Sequence, residues 1–387
     1  MNEFIHTFSI KRPLFGKELV SLTAKVSPLF FYKSTDDIWV LKDHTNSGLR
    51  AEITHIENDS PKRMFSSKHP QYEIEIIVTP AKLLNPRMNL GGITGQKELE
   101  DACKRLGEII WDIEQASGVD LLQEAKLYRV DLTKDINTPN DFCTHEIIKA
   151  ARKAINRYGY ETYDPKAHAD YKIDWKQKDS MLFKSKKVWG KLYNKKRDLV
   201  LHKCQSEIEE LGDYGLLRFE ISLLRGILRD DYSARGYITL NSLPEILYQL
   251  TIDGNALLNK HLVNTFYDGA MLSKSVLKKY LNRKCKSCKV AKSMIDFSDW
   301  IKKTEPEDLK CYDTPDRIST QIKRFAELKI SPVQINKQYP YIPSFFDMLN
   351  ESVDDKLRFF AWRSTCRHHE EYTYWNFDLM HCNISLD

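Results

Sequence analysis

The hydrophobic pattern changes along the chain, from a period of two in the first part to a helical period later. In the segment 72–78, Y-E-I-E-I-I-V, Glu73 and Glu75 alternate with apolar residues, as in a half-buried strand. The segments 126–136 and 215–223 alternate in the same way, so each of the three predicted strands presents one polar face. Further short strands are predicted at 4–10, 28–32, 38–41 and 51–56.

Helical periodicity appears between and after these strands. Apolar residues from Leu99 to Ile113 recur every three or four positions, which predicts an amphipathic helix ending near Gly118. A second helix is predicted after Thr138 and a third over 198–211, and the pattern is mainly helical from Leu243 onward, with one helix starting at Ser331. We therefore predict an α+β fold, with an N-terminal antiparallel β-sheet and packed helices followed by a mainly α-helical C-terminal domain. The predicted domains are 1–238 and 239–387.

The 387 residues carry a formal net charge of +5, and the positive charge is concentrated in two runs. The segment 184–197 has seven Lys and Arg residues and no acid, and the segment 274–292 has eight and no acid. Clustered cations favour a phosphate-rich partner, although a solvated surface would show the same pattern. The residues expected to contact such a partner are Lys184, Lys186, Lys187, Lys196, Arg197, Lys278, Lys279, Arg283 and Lys284.

Neither export nor membrane insertion is expected. The first ten residues contain Glu3 and no apolar core, unlike a signal peptide. No apolar run approaches the roughly 18 residues that span a bilayer, and eight scattered cysteines fit a reducing cytoplasm. The segment 91–97 does not match the phosphate-binding loop of ATPases, so we expect a separate helicase to perform any DNA unwinding.

A single tyrosine lies inside the first basic run. If 188–195 is one strand, Lys191, Tyr193 and Lys195 share a face. A phenol has a pKa of about 10 and is a poor nucleophile at neutral pH, so attack on a phosphodiester needs nearby cations or a metal. The same pattern also fits a solvated basic hairpin with a half-buried tyrosine.

Three predicted strands each carry an acid on the polar face: Glu75, Asp131 and Glu220, with Asp135 nearby. Three carboxylates from adjacent strands would suit Mg²⁺ or Mn²⁺, which prefer oxygen ligands. The alternative is unrelated salt bridges, because an arginine lies two residues before both Asp131 and Glu220.

Four motifs together resemble the gene II replication-initiation proteins of filamentous phages: E-I-I-V-T-P-A-K-L-L (75–84), Y-R-V-D-L-T-K-D (128–135), K-L-Y-N-K-K-R-D-L (191–199) and G-L-L-R-F-E-I (215–221). The likeness covers most of the chain from about residue 50. More distantly, R-x-D-x-x-x-D and Y-x-K resemble the rolling-circle initiators of Gram-positive plasmids and integrative elements. The chain departs from the phage pattern at 85–89, where N-P-R-M-N replaces a G-H-N run.

The resemblance implies an origin-specific nickase and ligase for rolling-circle replication. Tyr193 then matches the nucleophile, and Asp131, Glu220 and Glu75 match the family's acids, while Lys191 and Lys195 would bind phosphate or lower the pKa of the phenol. The implied partners are origin DNA, as a single strand or supercoiled duplex, and the helicase and polymerase of a bacterial host. The implied cofactor is Mg²⁺ or Mn²⁺.

Two other interpretations stay open. The protein would be a non-catalytic origin-binding or copy-control protein if the carboxylates are structural. In addition, Cys285 and Cys288 have zinc-knuckle spacing, with Cys311, Cys366 and His368 as candidate partners, although the spacing of these partners fits no standard zinc site.

Overall fold

The computed structural model describes the residues 4–24, 29–33, 36–41, 48–56, 70–86, 92–154, 161–162, 180–232, 236–304, 315–339 and 341–350. The predicted α+β class is confirmed: the first part of the chain forms an antiparallel sheet with packed helices, and the later part is mainly helical. None of the described helices is both long and apolar enough to cross a membrane.

Ten strands form one antiparallel sheet in the order β2-β3-β4-β5-β1-β6-β10-β9-β8-β7. Strands β2 to β5 pair with their chain neighbours, and so do β7 to β10, whereas β1 meets β5 and β6, and β6 meets β10, only after long stretches of chain. A second, two-stranded sheet joins β11 to β12. The strands are β1 Phe4–Leu14, β2 Phe30–Lys33, β3 Ile38–Leu41, β4 Leu49–His55, β5 Tyr72–Val78, β6 Lys126–Thr138, β7 Glu161–Thr162, β8 Ser180–Lys184, β9 Val188–Asn194, β10 Gly215–Leu224, β11 Met271–Leu272 and β12 Tyr341–Ile342.

Helices cover this sheet and build the later part of the chain. The predicted long helix is confirmed as α3, and the helix predicted after Thr138 begins at Asp141, where the Asn140 side chain accepts a hydrogen bond from Cys143 N at 2.9 Å. The helices are α1 Gly16–Leu22, α2 Pro80–Leu84, α3 Gln96–Ser117, α4 Asp141–Lys153, α5 Lys195–Leu201, α6 Gln205–Leu211, α7 Arg225–Asp231, α8 Leu243–Ile252, α9 Gly254–His261, α10 Lys274–Lys284, α11 Cys288–Lys303, α12 Pro315–Glu327 and α13 Phe345–Asn350.

The central strands β6 and β10 are buried on both faces. Apolar residues such as Leu132 and Phe219 are fully shielded and belong to the core, and helices α4 and α9 pack against both strands. The other face carries Asp131, Asp135 and Glu220, which are also buried. A sheet that buries charged residues at its centre positions them with much less side-chain freedom than a surface would.

The segment after β9 differs from the prediction. The sequence pattern favoured one helix over Asp198–Leu211, but the chain forms the two helices α5 and α6. Lys203 between them has a φ of 56°, a left-handed conformation that ends a helix. Further along, the domain boundary near residue 238 stays a prediction, and the amide of Ile238 donates to Ala125 O at 2.9 Å.

Candidate active site

Strand register brings the predicted tyrosine and one predicted acid together. Arg218 on β10 lies opposite Tyr193 on β9, and Glu220 lies opposite Lys191. Residues two apart share a face, so all four side chains project to the same side. The Tyr193 hydroxyl donates a hydrogen bond to Glu220 Oε2 at 3.1 Å, and Lys191 Nζ lies 3.8 Å from Glu220 Oε1. This phenol, carboxylate and ammonium form the centre of the candidate site.

The pKa of Tyr193 is raised in this structure, despite the nearby lysines. The side chain is only 8% exposed, and burial, with the Glu220 anion adding to it, raises the pKa of Tyr193 well above its usual value. Lys191 Nζ lies 4.2 Å from the centroid of the tyrosine ring, which is a cation–π contact. Burial and the Glu220 anion outweigh the lysines here, so the pKa is not below its usual value, and the role expected of Lys191 and Lys195 toward phosphate stays a prediction.

Lys195 is not on the strand face with Tyr193, because β9 ends at Asn194 and Lys195 begins α5. The Asn194 side chain accepts a hydrogen bond from Arg197 N at 3.1 Å and fixes this helix start. Lys195 is buried and its Nζ lies 2.7 Å from Asp198 Oδ2. Lys195 therefore pairs with a residue of its own helix. The prediction that it shares a face with Tyr193 is wrong, because the asparagine at position 194 caps a helix and ends the strand.

Asp131 is the second acid that the fold brings to this site. It lies on β6, opposite Ser222 of β10, and it accepts a hydrogen bond from Thr7 of β1. Burial raises the pKa of Asp131, an effect that Arg129 opposes and Glu220 adds to. For Glu220, burial also acts upward, but Lys191 leads the groups that outweigh it, so its pKa is lowered. Two coupled carboxylates that differ in this way can share a cation or a proton.

The other two predicted acids have partners elsewhere. Asp135 accepts two hydrogen bonds from Arg218, with the Nε to Oδ1 distance 2.5 Å and the Nη2 to Oδ2 distance 2.6 Å. Glu75 lies opposite Lys11, whose Nζ is 3.3 Å from Glu75 Oε2. Lys11 is four residues along β1 from Thr7, roughly 13 Å by strand geometry. The predicted group of three acids from adjacent strands is therefore reduced to Asp131 and Glu220.

His6 is a site residue that the sequence analysis missed. In the pairing of β1 with β6, Ile5 lies opposite Leu132 and Thr7 opposite Asp131, which leaves His6 as an extra residue in a β-bulge. Burial, followed by the nearby Arg218 cation, lowers the pKa of His6 to about 3, so the imidazole is neutral. No motif surrounds His6, and strict alternation would not have revealed the bulge.

The predicted phosphate-contacting residues have mixed surroundings. Lys196 Nζ donates to Gly212 O at 2.6 Å and to Tyr214 O at 3.0 Å, and Lys184 Nζ lies 4.3 Å from the Trp189 ring centroid. Exposed cations lie at the β8–β9 turn and along α10. These are Lys186, Lys187, Lys278, Lys279, Arg283 and Lys284.

A zinc site cannot be traced through the described residues. Cys285 Sγ lies 3.8 Å from Met294 Sδ, and the Cys288 side chain is exposed. The candidate partners Cys311, Cys366 and His368 lie outside the part of the chain that the structure describes. Zinc binding by Cys285 and Cys288 stays a prediction.

The described part of the polar face offers carboxylate and imidazole donors to a divalent ion, but no ready site for one. Across the described ranges, no three His, Cys, Asp or Glu side chains form a ready group for a metal. Shielded atoms there without a hydrogen-bond partner include His6 Nδ1, Thr133 Oγ1 and Arg218 Nη1, whereas Asp131 Oδ1 lies 3.3 Å from Arg129 Nε in an ion pair. Each of the two carboxylates therefore already has a cation beside it, Arg129 for Asp131 and Lys191 for Glu220. Asp131 and Glu220 offer oxygen donors of the kind that Mg²⁺ and Mn²⁺ prefer, and an ion bound there would have to share or replace these ion pairs.

Comparison of the chain with protein-family models and with characterised proteins gave no match.

Proposed function

We propose that the protein is a rolling-circle replication initiator that nicks the plus-strand origin through Tyr193 and later closes the strand. The observation that carries this proposal is the hydrogen bond of 3.1 Å from the Tyr193 hydroxyl to Glu220, beside Lys191 and on the same buried polar face as Asp131. A phenol with an adjacent acceptor and a cation is the arrangement expected of an activated nucleophile. The likeness of the four sequence motifs to phage initiators supports the same reaction.

In this reaction the Tyr193 oxygen attacks the scissile phosphorus while its proton passes to the Glu220 carboxylate. The bond from phosphorus to the 3′ oxygen breaks, and that oxygen takes a proton from water. The products are a 5′-phosphotyrosine and a free 3′-hydroxyl that a polymerase extends. In the closing step a 3′-hydroxyl attacks the phosphotyrosine, and the Tyr193 oxygen leaves and recovers its proton. One ester replaces another, so closure needs no ATP.

The residues that would hold the Mg²⁺ or Mn²⁺ ion are Asp131 and Glu220. When bound, the ion would stabilise the negative charge of the phosphate in the transition state. Burial and the Glu220 anion raise the pKa of Tyr193, and Lys191 alone does not cancel this effect. Additional positive charge would help the phenol to lose its proton. Lys191 is half-buried and borders the site, where its ammonium would contact the phosphate.

DNA is the proposed partner of the exposed cations on α10 and at the β8–β9 turn. Phosphate contacts of this kind provide affinity and orientation, without reading the base sequence. Because the chain shows no ATP-binding loop motif, the host helicase would unwind the duplex and the host polymerase would extend the nick. The proposed location is the cytoplasm of the bacterial host.

The test uses a supercoiled plasmid that carries the intergenic region of the replicon encoding this protein. Wild type should give nicked circles and an SDS-resistant protein–DNA adduct with Mg²⁺ or Mn²⁺, and neither with EDTA. Tyr193→Phe should lose both products. The matched control is Tyr214→Phe, since Tyr214 is an exposed tyrosine and should not be needed. Nicking with an adduct by Tyr193→Phe would refute the assignment of the nucleophile.

The second candidate is a non-catalytic origin-binding or copy-control protein. The burial of Tyr193 favours this alternative, because a nucleophile must reach the DNA and a structural tyrosine need not. Metal dependence separates the two functions: origin binding that survives EDTA, without cleavage under any divalent ion, would favour the non-catalytic protein.

A further inference from the structure

We propose that Trp189 stacks against an unpaired base of the DNA strand that the candidate site holds beside Tyr193. This role rests on the proposed function, because it concerns the same strand, and it adds a residue that binds a base to residues that contact only phosphate. Trp189 lies outside the four sequence motifs.

Strand register places Trp189 on the same face as the candidate nucleophile. Trp189, Lys191 and Tyr193 are each two residues apart on β9, so their side chains project to one side. Across the sheet, Trp189 lies opposite Ser222 of β10 and opposite Lys184 of β8. Four residues of a strand span roughly 13 Å. A DNA strand with a phosphate at Tyr193 therefore reaches the indole within a short stretch, after it passes the Lys191 ammonium.

The surroundings of Trp189 differ from those of a packing tryptophan. Its side chain is half-buried, and the residue opposite it on β10 is only a serine, Ser222. Other half-buried aromatic residues, such as Trp39 and Trp300, pack against the hydrophobic core, and Trp189 is not among them in the described part of the chain. A large apolar ring on a polar face, outside the core, is better explained by a ligand than by packing.

The charge around the indole is mainly positive. Two acids pair with the lysines here: Lys191 Nζ lies 3.8 Å from Glu220 Oε1, and Lys187 Nζ lies 3.8 Å from Asp230 Oδ2. The lysines of this hairpin outnumber these acids, and they are Lys184, Lys186, Lys187 and Lys191. Single-stranded nucleic acid is bound by this combination, with phosphates at the cations and bases stacked on aromatic rings.

Lys184 shows how the indole is held before DNA binds. Its Nζ lies 4.3 Å from the centroid of the Trp189 ring, which is a cation–π contact. A base stacks on tryptophan more strongly than a solvated lysine does, and the long lysine side chain can turn to a neighbouring phosphate. A base would therefore replace the ammonium on the ring. The bases of a duplex are stacked on each other, so only unpaired DNA offers one.

The experiment measures the fluorescence anisotropy of a labelled thymidine strand of about ten nucleotides as the full chain binds it in EDTA, where no cleavage is expected. The variants are Trp189→Leu and Trp189→Phe, and the control is Trp111→Leu, since Trp111 is 60% exposed on α3. Trp189→Leu should bind the strand about tenfold more weakly. Trp189→Phe should recover most of the affinity, and the control should match wild type.

A strand of the same length without bases separates stacking from a structural role. Trp189→Leu should bind this abasic strand as tightly as wild type does, because neither has a base to stack. Equal weakening toward both strands would overturn the inference, and so would unchanged affinity of Trp189→Leu for the thymidine strand. Failure of the proposed function instead appears as an absence of any adduct at Tyr193, which these binding measurements do not involve.

Discussion

Arg218 and Asp135 lie directly opposite each other on β10 and β6, joined by two hydrogen bonds of 2.5 and 2.6 Å. Arg218 is fully shielded from solvent and Asp135 nearly so. Burial acts to lower the pKa of Arg218, but Asp135 outweighs it and the pKa is raised. The pair thus keeps a permanent cation beneath the candidate site, beside Tyr193.

Removing only one member of this pair should strongly lower the free energy of unfolding. Asp135→Ala leaves the Arg218 charge buried without a partner, and we expect the free energy of unfolding to fall by about 3–5 kcal/mol. Urea unfolding measures the change. Glu108→Ala, which breaks the exposed pair with Arg105 on α3, is the control and should cost less than about 1 kcal/mol. Equal costs for the two substitutions would contradict the structural role of the buried pair.

Gly215 should not tolerate a side chain. A Cβ at this position would overlap the hydroxyls of Thr138 and Thr144 and lie 2.6 Å from Asn140 O. Gly215→Ala should therefore lower the free energy of unfolding by about 1–3 kcal/mol through overpacking. At Gly236 a Cβ would have no atom within 4 Å, and the φ is not positive, so Gly236→Ala is the matched control and should be neutral or slightly stabilising. Thermal unfolding of both variants distinguishes the two positions.

His6 should make stability depend on pH in metal-free buffer. Its folded pKa of about 3 lies below the ordinary histidine value of 6.5. Above pH 6.5 neither the folded nor the unfolded state protonates this residue, and the stabilisation is fully present. As the pH falls from 6.5 towards 3, His6 becomes protonated in the unfolded state but stays neutral in the folded state. The free energy of unfolding therefore decreases over this range.

The measurement compares the free energy of unfolding of wild type and His6→Gln between pH 7 and pH 4 in EDTA. The wild-type curve should fall more steeply, by up to about 1.4 kcal/mol per pH unit. Parallel curves for the two proteins would show that the imidazole is not held neutral by the fold.

The basic surface of α10 gives a prediction that depends on the proposed function. Lys278, Lys279 and Lys284 are exposed, and replacing all three with glutamine should weaken DNA binding. The slope of log affinity against log salt should become shallower by about one for each lost phosphate contact. The control is the triple glutamine variant at Lys17, Lys97 and Lys104, which are also exposed. Loss of affinity in the control variant alone would contradict the assignment.

The period of two was sufficient to identify the central strands, because β6 and β10 each alternate between a core face and a polar face. It placed Asp131 and Glu220 on polar faces correctly. It gave no register, so it did not show that Asp135 faces Arg218 or that Glu75 faces Lys11. Pairing between strands is determined by contacts distant in sequence, and a one-residue bulge at His6 changes which side chains share a face.

At two places, specific contacts override the structure that the sequence pattern predicts. Lys195 continues the alternation of β9, but the side chain of Asn194 caps a helix at that point, and the cap determines the structure. A helix predicted to start at Ser331 is absent from the described segment 331–335, where Ile335 instead forms a bridge with Ser273. In both places tertiary or capping contacts outweigh propensity.

The order of strands in the sheet also determines when a growing chain can complete the candidate site. Thr7 and Asp131, which are hydrogen-bonded, are 124 positions apart in the sequence, and the acceptor for Tyr193 comes only with Glu220 on β10. Such long-range pairings close slowly compared with local helices. During synthesis β1 and β6 must therefore wait for β10 before the polar face is enclosed, and a nascent chain that ends before residue 220 has the tyrosine without its carboxylate.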